Sequence, residues 1–342
     1  MEPNIKNAGF FAYVQYALNQ IKYCEANNFL PVINFDESYG NYFVDPARGE
    51  NMWDYFFHPV CQFTWSDIQS RVLDPDDPLT QGDVVTLSDE EIGELCQNNP
   101  NGIFHYTYGY WRENPPEDID RWYDEQRKRG HAYLAKYVKV KQSILDSVEA
   151  LLYENADGQF LVGAHIRGTD MKYAPTVPLE RYIEHLDTLV SEHDRIKIFI
   201  ATDQQQYIEI LKKKYGEKMF FQDCLRSHNA TNQHKFKRKD KSRLGAEVLI
   251  DALLLSRCDY LLKCPSAVGE FAHYFNPQLE SLDLNFNQTT IDGYNFSGKE
   301  FYSRWKDYPV GWEMMRSKYR KLNWKLQVRR LMSLTSFFSK KS

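Results

Sequence analysis

The sequence predicts an α/β protein with two Rossmann-like halves that face a cleft. From residue 159 onward, short apolar segments typical of buried strands alternate with amphipathic segments typical of helices. Earlier in the chain, a helical pattern over residues 9–28 is followed by a strand pattern over residues 30–35, which is half of an α/β repeat. At 342 residues, the chain is long enough for two domains.

The second half of the chain has the clearer pattern. Strands are predicted over residues 160–164, 196–201, 219–222 and 260–263, and helices over residues 179–192, 205–215, 244–256 and 266–274. This alternation is typical of a parallel sheet with helices on both faces. We therefore divide the chain into a first α/β domain over residues 1–157, a second, Rossmann-like domain over residues 158–300 and a basic helical segment over residues 301–342.

Composition excludes several classes of protein. The formal net charge of −5 argues against nucleic-acid binding. No apolar run is long enough to span a membrane and no secretion signal is visible, which predicts a cytoplasmic protein. The six cysteines include no C-x-x-C pair, which predicts free thiols. Residues 303–342 are strongly basic, typical either of a helix lying on an anionic membrane or of a helix packed across the domains.

Residues 162–170, with the sequence VGAHIRGTD, form the first candidate site. An apolar strand ends there in an imidazole, a guanidinium and a carboxylate, those of His165, Arg167 and Asp170. In open α/β sheets, ligands bind at the carboxyl ends of strands. The planar guanidinium of Arg167 can bind a phosphate through two hydrogen bonds and keeps its charge. The alternative is a surface loop in which Arg167 and Asp170 pair.

Two further strand ends carry candidate residues. Ser266 opens a helix directly after a strand, where free backbone N–H groups and the helix dipole favour an anion; a plain N-cap is the alternative. Asp203 follows the strand over residues 196–201, and either caps the next helix or faces the same crevice as Arg167. Asp118 and Asp120 fit a D-x-D metal pattern but lie in a charged helical stretch, so we predict neither a metal nor a cofactor.

Asp251 lies within an apolar helical segment. A carboxylate in such a place is unfavourable unless it has partners. The two N–H donors on one edge of a guanine base could be those partners, and a buried structural hydrogen bond is the alternative. The basic residues 235–243 predict a loop that is solvated, closes over an anionic ligand or approaches a membrane.

In order and spacing, these segments resemble the fucosyltransferase superfamily, which includes α1,6-fucosyltransferases, nodulation fucosyltransferases and protein O-fucosyltransferases. The resemblance covers residues 159–275. It rests on VGAHIRGTD at 162–170, FIATD at 199–203, FQD at 221–223, LIDALLLSRCDYL at 249–261 and CPSA at 264–267.

The resemblance implies a GT-B fold, a GDP-sugar donor, inversion at the anomeric carbon and no metal requirement. It also assigns roles around the donor: Arg167 would hold the β-phosphate, His165 would line the diphosphate pocket, Asp251 would bind the guanine, Ser266 and the amide of Ala267 would cradle phosphate, and Asp203 would support the cleft. A weaker likeness near Gly9 implies a glycine-containing loop at the first helix of the acceptor domain, and a start of the chain that is truncated.

The chain departs from the α1,6 subgroup at three places. Gly168 stands where that subgroup has a second arginine, Met171 where a lysine is common, and residues 174–176 where an acidic residue is found. The general base therefore does not carry over, and Asp36, Glu37 and Asp170 stay candidates. The aromatic residues expected near the acceptor are Trp53, Tyr55 and Phe56.

The sequence thus predicts an inverting, metal-independent glycosyltransferase that moves fucose from GDP-fucose to a glycan hydroxyl. Bacterial surface polysaccharide synthesis at the inner membrane face is the expected setting. Three alternatives stay open: a donor that is another GDP- or UDP-sugar, a catalytically inactive protein that binds nucleotide sugars, and a doubly wound domain that binds some other phosphate.

Overall fold

The computed structural model describes residues 8–37, 43–98, 102–103, 119–156, 158–168, 177–228, 240–264 and 266–284. Asp170, Asp118, most of the predicted basic loop and the whole of residues 301–342 lie outside this part of the chain. The predicted membrane contact of the basic segment therefore stays a prediction.

Five parallel strands form one sheet in the order β3-β2-β1-β4-β5. They are β1 (Phe160–Ile166), β2 (Ile196–Thr202), β3 (Met219–Phe220), β4 (Tyr260–Lys263) and β5 (Glu280–Asp283). The predicted α/β class and parallel sheet are confirmed. The sequence did not predict β5, because its segment ESLD has only one apolar residue.

Helices precede the sheet and alternate with its strands. Those before the sheet are α1 (Phe10–Asn27), α2 (Trp53–Phe56), α3 (Trp65–Val72), α4 (Asp89–Gly93), α5 (Ile119–Tyr137) and α6 (Gln142–Asn155). Those within the α/β repeat are α7 (Leu179–Glu192), α8 (Gln205–Tyr215), α9 (Ser242–Ser256) and α10 (Ala267–Phe275).

Strands β1 to β4 each contribute side chains to two cores, because successive residues point to opposite faces. On one face, Val162 and Ile166 of β1 pack with residues of α7 and α8. On the other, Leu161 packs with residues of α9 and α10, and α1 joins the same core. We call this second surface the α9–α10 face. Along β1, His165 follows Leu161 by four residues and so lies on it.

The first half of the chain differs from the prediction. No strand forms among the described residues of 1–157, although one was expected over residues 30–35. The side chain of Asn51 takes the place of a neighbouring strand: its Oδ1 accepts a hydrogen bond from the Phe35 amide at 2.9 Å, and its Nδ2 donates to the Ile33 carbonyl at 2.9 Å. A second Rossmann-like half with a cleft between the halves is therefore not confirmed, and the division at residue 157 stays a prediction.

The helices of the first half pack directly on the second. The ring of Phe11 in α1 stacks on that of Phe271 in α10, with centroids 4.4 Å apart, and both side chains are fully buried. Gly245 in α9 lies against the ring of Phe56, and a Cβ there would be 2.4 Å from a ring carbon. One continuous hydrophobic core thus joins α1 to the α9–α10 face.

Replacing Phe11 with alanine tests this shared core. Because the substitution leaves a cavity in the stacked pair, we expect F11A to lower the free energy of unfolding by about 3–5 kcal/mol. Denaturant unfolding measures the change. The control is Tyr153→Ala, since Tyr153 is 85% exposed and should change stability by less than about 0.5 kcal/mol. A loss of less than about 1 kcal/mol in F11A would contradict a common core.

Candidate active site

The carboxyl ends of β1 and β4 border the point where the sheet changes direction. From β1 the chain proceeds outward through β2 and β3, then crosses back to β4 on the other side of β1. In open α/β sheets such a switch point leaves a crevice in which ligands bind. Arg167 directly follows β1, and Ser266 lies three residues beyond β4 as the N-cap of α10. Two of the predicted donor segments therefore meet at one crevice.

His165 lies at this crevice beneath the first turn of α10. Its side chain is buried, and its Nδ1 lies 3.4 Å from the position that a Cβ at Gly269 would occupy. Burial lowers the pKa of His165 to about 3, and the Arg167 cation contributes to the shift. The imidazole is therefore neutral at physiological pH. Its Nδ1 has no hydrogen-bond partner within the described part of the chain.

Arg167 is half-buried at the carboxyl end of β1. The next residue, Gly168, donates its amide to Oδ1 of Asp203 at 2.8 Å. This bond ties the end of β1 to the end of β2. Asp203 therefore contacts the residue that follows Arg167, at the end of the sheet where the sequence predicts it.

Gly168 is in tight contact with the start of α8. A Cβ at this position would lie 2.2 Å from Cγ of Gln204 and 3.0 Å from a ring carbon of Tyr207. Gln204 is fully buried, and its Oε1 accepts a hydrogen bond from Gln206 at 2.6 Å. Any side chain at 168 requires Gln204 to move. Gln204 therefore explains sterically why this chain has glycine where the resemblance would have a second arginine.

The N-terminus of α10 is arranged to receive an anion. Ser266 is buried and its backbone is extended, with φ −152° and ψ 146°, and its side chain makes no capping bond to the helix. The backbone amides of the first helical turn, beginning with Ala267, have no partner inside an α-helix. Together with the Ser266 hydroxyl, they offer donors at the positive end of the helix dipole.

Asp251 lies on α9 and is held by a residue to which the sequence gave no role. Its Oδ1 accepts a hydrogen bond from Nε2 of Gln222 at 2.9 Å, and the same Nε2 donates to the Glu247 carbonyl at 3.0 Å. Burial raises the pKa of Asp251 to about 7, against the opposing effects of Arg226 and Gln222. Its negative charge would therefore be favoured by a ligand that donates N–H groups.

Arg226 supports this arrangement through backbone carbonyls. The guanidinium is buried and donates to the carbonyl oxygens of Thr202 at 3.1 Å, Gln222 at 2.5 Å and Cys224 at 3.4 Å. It thereby fixes the loop after β3 on which Gln222 lies. Sequence patterns could not reveal this role, because an isolated arginine after a short strand is equally typical of a solvated loop.

The structure gives less support to the candidate site residues of the first half of the chain. Asp36 is half-buried, 3.4 Å from Nδ2 of Asn34, but the strand expected to end there is not formed. Glu37 is exposed, and Gly9 is the exposed N-cap of α1 with open space around it. Asp170, the third candidate base, lies outside the described residues.

The three aromatic residues expected near the acceptor are core residues instead. Trp53, Tyr55 and Phe56 are each at most 4% exposed. The indole N–H of Trp53 donates to the His58 carbonyl at 3.1 Å, and the Tyr55 hydroxyl donates to the Asp45 carbonyl at 2.9 Å. The expectation was wrong because short-range sequence gives no sign that α2 would be covered by α1 and α9.

The described residues contain neither a metal-binding group of side chains nor a membrane-spanning helix. No group of three His, Cys, Asp or Glu side chains there lies close enough to hold a metal ion. No helix in that part of the chain is long and apolar enough to cross a membrane. All six cysteines are free thiols, as predicted.

Comparison with known proteins identifies the segment that contains this site. Residues 131–271 match the family model of alpha-(1,6)-fucosyltransferase N- and catalytic domains. No curated protein matches the sequence significantly. The matched segment runs from α5 to α10 and includes every predicted donor residue from His165 to Ala267.

Among solved structures, the chain is similar to fucosyltransferase NodZ from Bradyrhizobium, with 17% identity, a TM-score of 0.45 and coverage of 79% of this chain and 91% of that one. It is also similar to POFUT1 in its apo form, with 10% identity, a TM-score of 0.47 and coverage of 82% and 96%. These likenesses are distant, and the family match carries the assignment. The predicted resemblance to the fucosyltransferase superfamily is confirmed, and the chain is a glycosyltransferase.

Replacing Asp251 with asparagine tests its environment. Because the native state holds the Asp251 proton more tightly than the unfolded chain does, its contribution to stability is largest below about pH 4 and is lost as pH rises through about 7. As pH rises from 5 to 8, we expect the wild type to lose stability relative to D251N by about 2 kcal/mol.

Denaturant unfolding at several pH values measures the difference. The exposed neighbour Asp223 provides the control, and D223N should change stability by less than about 0.5 kcal/mol. Parallel curves for D251N and the wild type would show that Asp251 ionises in the native state as it does in water.

Proposed function

We propose that this chain, a glycosyltransferase that resembles the fucosyltransferases over residues 131–271, transfers fucose from GDP-fucose to a glycan hydroxyl. The observation that carries the proposal is the meeting of Arg167 with the N-terminus of α10 at the switch point of the sheet. A guanidinium and a helix N-terminus are both groups that bind phosphate strongly. In this proposal, residues 158–300 bind the donor and residues 1–157 lie on the acceptor side.

The donor chemistry follows from the residues of the crevice. When the glycosidic bond of a nucleotide sugar breaks, negative charge develops on the departing diphosphate. Arg167, the Ser266 hydroxyl and the Ala267 amide would already be in position before the reaction, and they would stabilise that charge as it develops. Neutral His165 would line the same pocket, where it can donate a hydrogen bond without adding a second charge.

Asp251 would select the base. A guanine presents two N–H donors on one edge, and an ionised carboxylate can accept both. Gln222 donates a hydrogen bond to Asp251, and Arg226 holds the loop that carries Gln222. Since burial keeps Asp251 partly protonated near neutral pH, guanine binding would also draw it toward the ionised form.

The transfer step would invert the anomeric carbon. The acceptor oxygen attacks that carbon from the side opposite the diphosphate, the carbon–oxygen bond to the β-phosphate breaks, and a base takes the acceptor proton. Asp36, Glu37 and Asp170 remain the candidates for that base. The reaction as proposed needs no metal, because fixed cations and dipoles take the charge of the leaving group.

A protein that binds nucleotide sugars without transferring them is the second candidate. The observation that favours it is the burial of Gln204 against Gly168, which leaves no room for a second guanidinium. A donor other than GDP-fucose, another GDP- or UDP-sugar, is a variant of the first proposal.

The biological setting is proposed on composition. The basic residues 303–342 would contact anionic lipid from the cytoplasmic side, where the enzyme would build bacterial surface polysaccharide.

Arg167→Ala is the direct test of the transfer function. We expect R167A to lower the kcat/KM for transfer from GDP-fucose by about a thousandfold, because a donor aimed at developing charge is lost. The melting temperature should stay near that of the wild type. The control is Arg257→Ala, since Arg257 lies at the opposite end of β4 in an exposed pair with Glu149, and R257A should transfer normally.

Thermal shifts separate the alternatives. GDP should raise the melting temperature of the wild type more than UDP or CMP does, and D251N should lose that preference. GDP binding without transfer to any saccharide acceptor would favour the second candidate. Unchanged turnover in R167A would refute the proposed role of the guanidinium.

A further inference from the structure

Four charged side chains are buried together behind the crevice, in contact with α10. The ammonium of Lys263 lies 3.1 Å from Oδ2 of Asp283 and 3.4 Å from Oε2 of Glu270. The guanidinium of Arg127 donates to both carboxylate oxygens of Glu270, at 2.9 and 3.2 Å. The Arg127 side chain is 13% exposed and the other three at most 5%. Two cations and two anions leave this cluster without net charge.

Helix α5, which carries Arg127, packs against α10. Gln126 in α5 donates to the hydroxyl of Tyr274 at 3.0 Å, and Nδ1 of His131 lies 2.9 Å from the Tyr274 carbonyl. Between them, a Cβ on Gly130 would be 2.8 Å from the Tyr274 ring. The close approach of the two helices depends on that glycine.

The cluster contacts the part of α10 that carries the proposed hydrogen-bond donors to phosphate. Glu270 is the fourth residue of α10, and its amide donates to the Ser266 carbonyl at 3.0 Å. The stem of Lys263 lies 3.2 Å from the Cβ position of Gly269. Glu270 is thus held from α5 by a two-point contact and from β4 by the ammonium, at the turn whose free amides face the crevice.

Stability alone gives little reason for such a cluster, because buried ion pairs are often no more stable than apolar residues of the same volume. A two-point guanidinium–carboxylate contact does, however, fix both distance and orientation. It therefore limits how α10 can rotate or slide over the sheet.

We infer that Arg127 is a positioning residue for the donor. Through Glu270 it fixes the N-terminal turn of α10, and so the Ser266 and Ala267 groups that bind the diphosphate. This inference rests on the proposed function. Arg127 precedes the segment that matches the family model, which begins at residue 131.

The test uses the double variant R127M/E270Q. Removing one cation and one anion together keeps the remaining Lys263–Asp283 pair balanced, so the variant is expected to fold. We expect the dissociation constant for GDP to rise about tenfold and the kcat/KM for transfer from GDP-fucose to fall at least tenfold, since the displaced groups bind the diphosphate and stabilise its developing charge. In hydrogen exchange without nucleotide, residues 266–275 should exchange faster than in the wild type and residues 249–256 equally fast.

Two single variants complete the comparison. R127K keeps a cation beside Glu270 but loses the two-point contact, so its GDP affinity should lie between those of the wild type and R127M/E270Q. Gln126→Leu removes the contact to Tyr274 in the same pair of helices but away from the first turn of α10. It should lower the melting temperature while the KM for GDP-fucose stays within twofold of the wild type.

Arg127 has only a structural role if R127M/E270Q behaves as Q126L does, with lower stability but unchanged GDP affinity and unchanged exchange of α10. If the wild type binds no GDP, the proposed function fails, and hydrogen exchange still decides about Arg127. Faster exchange confined to residues 266–275 in the double variant then supports the positioning of α10, and unchanged exchange refutes it.

Discussion

The order of the strands is the constraint on which the whole site depends. Because β1 lies between β2 and β4, the chain must leave β1 in one direction and return to β4 from the other. Neighbouring strands are about 5 Å apart, so the residues that follow β1 and β4 are neighbours whatever the intervening loops do. Arg167 and the N-terminus of α10 meet for this reason, although about 100 residues separate them in the sequence.

The ionisable groups buried around the crevice are either neutral or paired with an opposite charge. His165 is held neutral by burial and by the nearby Arg167 cation. The ammonium of Lys263 forms ion pairs with two carboxylates. Although burial alone would raise it, the Arg127 and Lys263 cations hold the pKa of Glu270 well below its usual range. Among the described residues of the crevice, the positive charge therefore comes from Arg167 and from the dipole of α10.

Patterns over short distances predicted most of the sheet. Apolar runs with flanking polar residues placed β1, β2 and β4 correctly, because these strands are buried on both faces. The same rule failed at residues 30–35, where the Asn51 side chain and the covering helices provide what a partner strand would. In β5, by contrast, too few apolar residues were present to give a signal.

The site was predictable only in part. His165, Arg167, Asp203 and Ser266 were proposed because they lie at or just beyond the ends of predicted strands, and strand ends define the crevice. The contacts of Gln222 with Asp251 and of Arg127 with Glu270 could not be predicted. The partners lie at least 29 residues apart in the sequence, beyond the reach of any local pattern. The aromatic residues of α2 were assigned to the acceptor because high aromatic content suits both a core and a sugar-binding surface.

A structure of the protein with GDP tests the central claim most directly. The diphosphate should lie within hydrogen-bonding distance of the Arg167 guanidinium and the Ala267 amide, with the guanine edge on the Asp251 carboxylate. A nucleotide bound elsewhere on the sheet, or bound with Arg167 turned away from both phosphates, would contradict it.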